Sequence, residues 1–297
     1  VVESLNSNIS DFGSIVFGDR FVGRILQIKQ IEDRVLGNQY GNLAIMGLPR
    51  IGKSSLAWHS IMTKRDVLNK KHTYPIYYSV GSCKSSSSFF KTLVTLCDEE
   101  LSMECGDDRY KIISSKVVSV VKEETDSNEV KSLCQKYFKY IKRIGVKIIF
   151  ILDEFDTAQK IFDISDFQLL RELSYNPDTK ICLVTCSRKT IQDIEAQDGA
   201  ISNFYGIFSE IRLGMFSEED MISYWGKIDP QRLLSIDYKK EAVYYVGTHP
   251  FLLDYYNSQR QFLYKKNDDK IEIIKLGLLN YFSTIEIGRA SCRERVY

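Results

Sequence analysis

Residues 46–55 read MGLPRIGKSS, and within them Gly47, Gly52, Lys53 and Ser54 fit the spacing G-x-x-x-x-G-K-[ST]. That spacing suits one chemistry, the holding of a polyphosphate. Glycines let successive backbone N–H groups turn inward around phosphate oxygens, and a helix opening directly behind them adds the positive end of its dipole. Lys53 brings a mobile point charge for the β- and γ-phosphates, and the Ser54 hydroxyl is a ligand for Mg²⁺. The whole loop, Gly47, Leu48, Pro49, Arg50, Ile51, Gly52, Lys53, Ser54 and Ser55, is the candidate nucleotide cradle. ATP or ADP is the expected nucleotide and Mg²⁺ the expected metal.

A second constellation is KIIFILDEFD, residues 147–156. An apolar run ends at Leu152 and delivers Asp153 to the C-terminal edge of a strand, where open parallel sheets bind their ligands. Asp153 is a candidate Mg²⁺ ligand. Glu154 is a candidate general base that polarises an attacking water. Asp156 is either a partner supporting these acids or a solvated loop residue. The third is LVTCSRK, residues 183–189, where a strand is expected to end at Thr185 and Ser187 and Arg188 to project from the same edge. A polar group there can sense the γ-phosphate. Glu154, Lys53 and Arg188 are the catalytic candidates.

Elements of matching kind surround these residues. LQIKQIEDRVL (26–36) has helical periodicity, and NLAIM (42–46) is a short apolar run suited to a buried strand. A helix is expected from Ser54 to about Lys70, then a strand over 73–80 and a helix opened by the serines 85–88. A polar helical region covers about 110–143. Strands follow at 147–152, 180–185 and 210–214. Strands alternating with helices predict an α/β protein with a three-layer α/β/α core around a mostly parallel sheet. After residue 215 only helices are expected: SEED (217–220) has capping-box form, Gly247 suits a C-cap, Pro250 a first helical position, and 273–282 a last helix. The expected organisation is a lead-in over 1–20, an α/β core over 21–215 and a small all-helical lid domain over 216–286.

Composition narrows the class. The 297 residues are 44% hydrophobic and 27% charged with a formal net charge of +1, so no global field pulls the chain onto nucleic acid or membrane. The seven cysteines form no C-x-x-C pair and His59, His72 and His249 lie near no cysteine cluster, which argues against a zinc site or a disulfide framework. No apolar run reaches membrane-spanning length, and a cytoplasmic location is expected. Residue 1 is Val, which suggests a piece of a longer chain. IGRASCRERV (287–296) resembles one reading frame of a sequencing-library adapter, so 287–297 are expected to be non-native. Their net +2 leaves −1 on the rest. His249 reads as a capping or core residue, Trp58, Trp225 and the tyrosine pairs 77–78, 244–245 and 255–256 as packing, and Lys64-Arg65 and Lys70-Lys71 as a solvated helix face.

FVGR (21–24), GLPRIGKS, FILDEFD, LVTCSR and GTHPFLL (247–253) stand in the order seen in STAND NTPases, and the chain resembles that branch of the AAA+-like P-loop ATPases over residues 15 to about 285. The resemblance implies that Val22 and Arg24 line the adenine side of the site, that Arg188 is the first sensor and that Pro250 packs near the base. It also implies homo-oligomerisation in the ATP state and partner or effector segments beyond this chain. Two departures stand out: Ile25 occupies the position where the family often has Glu, and no winged-helix segment follows the helices. Three functions are then open. The first is a slowly hydrolysing signal-transduction switch, as in defence or regulation. The second is a AAA+-type motor or loader acting on DNA or protein, with the near-neutral charge counting against DNA. The third is a module that keeps ADP as structural glue, against which Lys53, Asp153 and Glu154 argue.

Overall fold

A computed structural model describes residues 14–37, 40–104, 110–111, 117–196, 202–258 and 279. The chain divides into two compact units. The larger comprises Leu26–Met46 and Leu56–Arg212, the smaller Val1–Ile25, Gly47–Ser55 and Leu213–Tyr297.

The larger unit is built on one sheet. Its strands are β1 (Asn42–Gly47), β2 (Thr73–Ser79), β3 (Lys147–Asp153), β4 (Cys182–Ser187) and β5 (Phe208–Leu213), in the order β2-β3-β4-β1-β5. The pairs β2·β3, β3·β4 and β1·β4 are parallel. Every residue of β4 and all but Lys147 of β3 are buried, as expected for strands covered on both faces. Parallel pairing puts the C-terminal ends of β1, β3 and β4 at one edge of the sheet.

Helices α1 (Ile25–Ile31), α2 (Lys53–Ile61), α3 (Arg65–Asn69), α4 (Ser86–Glu104), α5 (Ser119–Glu123), α6 (Ser127–Arg143), α7 (Ala158–Ile161), α8 (Ile164–Tyr175) and α9 (Ile191–Glu195) accompany the strands. Their apolar faces bury Phe89, Phe138, Phe162 and Phe167 in one continuous core with the sheet. Phe155 is fully buried in that core, its ring 6.2 Å from Phe204. This anchor fixes the turn that carries Glu154 and Asp156 on either side of it.

The smaller unit holds α10 (Glu218–Ile228), α11 (Ile236–Val246) and α12 (Pro250–Ser258). Ser217 and Asp220 form the capping box that SEED suggests: Asp220 N donates to Ser217 Oγ at 3.2 Å and Ser217 N to Asp220 Oδ2 at 3.1 Å. Gly247 closes α11 with φ 63, and Pro250 opens α12, where its missing N–H is harmless. Met221, Tyr224, Tyr238, Leu253 and Tyr256 make a second core. Asn257 satisfies its buried phenols, donating to the Tyr224 hydroxyl at 2.7 Å and accepting from Tyr238 at 3.0 Å.

Several boundaries differ from the sequence reading. The helix expected over 54–70 is broken by a 3₁₀ turn at Met62–Lys64, where the Thr63 hydroxyl donates to the His59 carbonyl at 2.5 Å. The periodic stretch 26–36 widens into a π turn over Glu32–Leu36. Among the described residues the polar region before β3 contains α5 and α6, the latter capped by Asp126, which accepts from Glu129 N at 2.9 Å. β4 runs on through Ser187 because Cys186 and Ser187 pair with Ile45 and Met46 of β1. The helix expected over 273–282 lies outside the described residues except for Leu279, as do residues 1–13 and the tail 287–297. Among the described residues no helix is long and apolar enough to cross a membrane, and no group of three or more His, Cys, Asp or Glu side chains is placed to hold a metal ion.

Candidate functional site

In the smaller unit the loop between β1 and α2 has the backbone its glycines imply. A Cβ on Gly47 would stand 2.5 Å from the Leu213 carbonyl oxygen, so no side chain fits there. Gly52 has φ 99 and Arg50 φ 57, the left-handed conformations that coil the loop. Ile51 is 1% exposed and anchors it, while Leu48 stands out at 50%. Lys53 folds back over the loop, its Nζ donating to the Gly47 and Leu48 carbonyls at 2.9 Å each. Lys53, Ser54 and Ser55 form the first turn of α2, and Ser55 Oγ accepts from Val16 N at 3.0 Å. A concave run of backbone, a helix N-terminus and a lysine poised above it are the donor set that polyphosphate needs.

The FVGR segment lies in the same unit. Gly23 has φ 68, and a Cβ there would overlap the Asp220 carboxylate. Arg24, 4% exposed, donates through its guanidinium to the Gly214 and Met215 carbonyls at 2.6 and 3.1 Å, and its backbone N donates to Asp220 Oδ1 at 2.6 Å. Its guanidinium also lies 3.5 Å from Asp220 Oδ2 and 4.8 Å from the Phe216 ring centroid. Burial lowers its pKa and the Asp220 charge opposes that. Val22 packs on the helical core, and the Arg50 guanidinium of the phosphate loop covers the Phe251 ring at 4.4 Å, directly after Pro250. His249 is 1% exposed. Burial holds its imidazole down at about 4 and the Arg24 charge adds to this, against hydrogen bonding with the Pro49 backbone. The core-histidine reading of His249 fits this burial.

In the larger unit the acids after β3 are held from the neighbouring strand. The Tyr77 hydroxyl of β2 donates to Asp153 Oδ2 at 2.6 Å, and Ser79 Oγ donates to Glu154 Oε2 at 2.9 Å. Glu154 N donates to Asp153 Oδ1 at 2.9 Å. Burial first, then the Asp153 carboxylate, pushes the Tyr77 phenol well above its usual range, so it stays a donor. The Tyr77 ring meets Trp58 edge-on at 5.1 Å. Glu154 itself is exposed and left-handed, φ 54, and a Cβ on Gly81 would overlap its carboxylate. Asp156 takes the supporting role: it accepts from Arg188 N at 2.8 Å and from Lys189 N at 3.1 Å, which fixes the loop after β4. The Arg188 side chain stays 47% exposed. Ser187 does not project from the edge as expected. It is the last residue of β4, 1% exposed, and its hydroxyl donates to the Lys189 carbonyl at 2.7 Å.

Thus the larger unit brings Asp153, Glu154, Asp156 and Arg188 together, and the smaller brings together the loop 47–55, Val22, Arg24 and Pro250. Sequence reading missed Tyr77, Ser79, Gly81 and Asp220. The polar alternation of Tyr77 and Ser79 along one face of β2 is a signal for the first two, but which strand lies beside β2 is visible only in the fold.

Comparison with known proteins agrees with this chemistry. Residues 21–188 match the model of an ATPase domain predominantly from Archaea. No curated protein sequence matches the chain. Among solved structures it is similar to a Walker-type ATPase of Pyrococcus abyssi, at 13% identity and a TM-score of 0.63 over 97% of this chain and 80% of that one. It is also similar to the ORC2 protein of Aeropyrum pernix, at 9% identity and a TM-score of 0.58 over 89% and 70%. The ORC1 protein of Aeropyrum pernix, solved in complex with DNA, is similar at 13% identity and a TM-score of 0.56 over 89% and 66%. These likenesses show the P-loop α/β fold, and the match of residues 21–188, more than half of the chain, shows the family: the chain belongs to the ATPase domains found predominantly in Archaea and is an ATP-hydrolysing enzyme.

Proposed function

We propose that this ATPase is a STAND-like nucleotide switch, in which the state of the bound nucleotide sets the conformation of the helical segment after residue 213 and, through it, self-association. The observation that carries this reading is the makeup of the smaller unit: the phosphate loop is packed with that segment and with FVGR. Arg50 of the loop lies on Phe251, the Gly47 backbone abuts Leu213, and Arg24 ties Gly214 and Asp220. A loop that rearranges when phosphate enters or leaves bears directly on those helices.

In this reading the loop amides and Lys53 bind the β- and γ-phosphates. Val22, Arg24 and Pro250 form the adenine side. Glu154 takes a proton from the attacking water, and Arg188 contacts the γ-phosphate as its charge develops. Mg²⁺ would be held in this reading by the Ser54 hydroxyl and the Asp153 carboxylate. When bound, the ion neutralises phosphate charge. Residues 21–215 are the proposed core and 216–286 the proposed lid domain. The exposed, left-handed Glu154, held off by Ser79, agrees with slow turnover.

Hydrogen exchange of 236–258 tests the switch. Amide protection of these helices is expected to differ between the ADP-bound protein and Glu154→Gln holding Mg-ATP. Equal protection in both states, with ATP hydrolysis by the native chain intact, overturns the switch and leaves the ATPase. A motor or loader acting on DNA or protein is the second reading, favoured by the similarity to the DNA-bound ORC1 structure.

A further inference from the structure

The loop that joins β4 to α9 is tied down residue by residue. Ser187 Oγ donates to the Lys189 carbonyl at 2.7 Å. The Arg188 amide donates to Asp156 Oδ2 at 2.8 Å and to its Oδ1 at 3.1 Å, and the Lys189 amide donates to Oδ1 at 3.1 Å. Lys189 Nζ donates to Gln159 Oε1 at 2.7 Å, and Gln159 Nε2 donates in turn to the Asp193 carbonyl at 3.0 Å. Thr190 caps α9: its Oγ1 accepts from Asp193 N at 3.0 Å and donates to Asp193 Oδ2 at 2.7 Å. From this framework the Arg188 side chain stands out 47% exposed, with its Nε 3.9 Å from Asp156 Oδ2.

Asp156 therefore meets Arg188 in two ways of unequal strength. The bonds from backbone amides to a carboxylate are charge-assisted and about twice as strong as neutral ones. The ion pair, at 3.9 Å to a half-exposed guanidinium, contributes little. So Asp156 grips the backbone at Arg188 and leaves the tip of the side chain able to swing toward a new charge. The grip comes from a rigid place. Asp156 sits in the 3₁₀ turn Phe155–Thr157, which the fully buried Phe155 ring anchors and the bond from Thr157 N to the Glu154 carbonyl, 3.0 Å, closes. That same turn starts at Glu154, so the candidate base and the candidate sensor are joined through one carboxylate.

We propose that Asp156 is a positioning residue for ATP hydrolysis: by fixing the backbone of Arg188 it aims that guanidinium from the turn that carries Glu154. This rests on the reading of Arg188 as the γ-phosphate contact.

The test is a double-mutant cycle on steady-state ATPase rate, with ADP affinity and melting temperature measured beside it. Asp156→Ala is expected to lower kcat by about 10²-fold, the cost of displacing a catalytic group by about 1 Å. ADP affinity should hold, because ADP lacks the phosphate that Arg188 addresses. Asp156→Asn still offers one oxygen to the two amides and should recover part of the loss. Asp156→Ala/Arg188→Ala should be no slower than Arg188→Ala alone, since a residue that acts through Arg188 has nothing to aim once the guanidinium is gone. A merely structural Asp156 would lower the melting temperature and multiply its loss with that of Arg188. Where the alanine variant does not fold, the same cycle with Asp156→Asn is expected to show the same lack of additivity. Additive losses, or native kcat in Asp156→Ala beside a slow Arg188→Ala, overturn the proposal. Native kcat in Arg188→Ala overturns the reading of Arg188 itself, and the proposal with it.

Discussion

The Tyr77 hydroxyl on β2 donates to the Asp153 carboxylate at the end of β3, at 2.6 Å, so the acid proposed to hold the metal is aimed by a neutral donor on the adjacent strand. Tyr77→Phe keeps the ring against Trp58 and removes only that bond. Turnover is expected to need a higher Mg²⁺ concentration for half-maximal rate, with a loss of about tenfold at limiting Mg²⁺, as for a hydrogen bond to a charged group. A Mg²⁺ titration of ATPase rate together with Mn²⁺ binding followed by electron paramagnetic resonance reads it. Unchanged affinity for both ions contradicts the role.

Gly81 makes room for the Glu154 carboxylate and has no left-handed φ of its own. Gly81→Ala therefore displaces one side chain without straining the backbone. Turnover is expected to fall by about 10²-fold, toward Glu154→Gln, since loss of a positioned general base costs about 10²–10⁴-fold. ATP affinity, measured by equilibrium binding, should hold in both. Normal hydrolysis by Glu154→Gln would remove that residue from the role of base.

Arg24 and Asp220 are a buried pair whose other hydrogen-bond partners are backbone groups, with the Phe216 ring beside the guanidinium. Removing one member strands the other's charge. Asp220→Ala is expected to destabilise by about 3 kcal/mol, and Arg24→Ala/Asp220→Ala by less than the sum of the two single changes. Denaturant melts of the four proteins measure the coupling, and strict additivity excludes it.

His249 has a folded-state pKa of about 4 against an ordinary 6.5, mainly because it is buried. The unfolded chain then binds the extra proton, so this residue contributes stability that is complete above about pH 6.5 and is lost as pH falls toward 4. The loss is about 3 kcal/mol over that window. Thermal melts at pH 7 and pH 4.5 should show a smaller acid-induced drop in Tm for His249→Gln than for the native chain. Equal drops place the acid sensitivity elsewhere.

The sheet and the phosphate loop were legible because their signals are local. IIFIL (148–152) is apolar without a break, and Gly47, Gly52, Lys53 and Ser54 stand at fixed offsets. The two extra residues of β4 were not legible, since Cys186 and Ser187 earn their strand status from partners in β1. For the same reason Tyr77 read as packing: its hydroxyl acquires a task only once β2 lies beside β3 in register. Asp156 was ambiguous until the Arg188 and Lys189 amides were seen to converge on it.

The central claim, that this ATPase holds its nucleotide as a switch, is tested most directly by what the protein carries when purified without added nucleotide. The protein is denatured and the released nucleotide identified by chromatography. Near-stoichiometric ADP is the expected result, the mark of a closed site with slow exchange. An empty site that turns over added ATP rapidly would contradict the switch and favour a motor or loader.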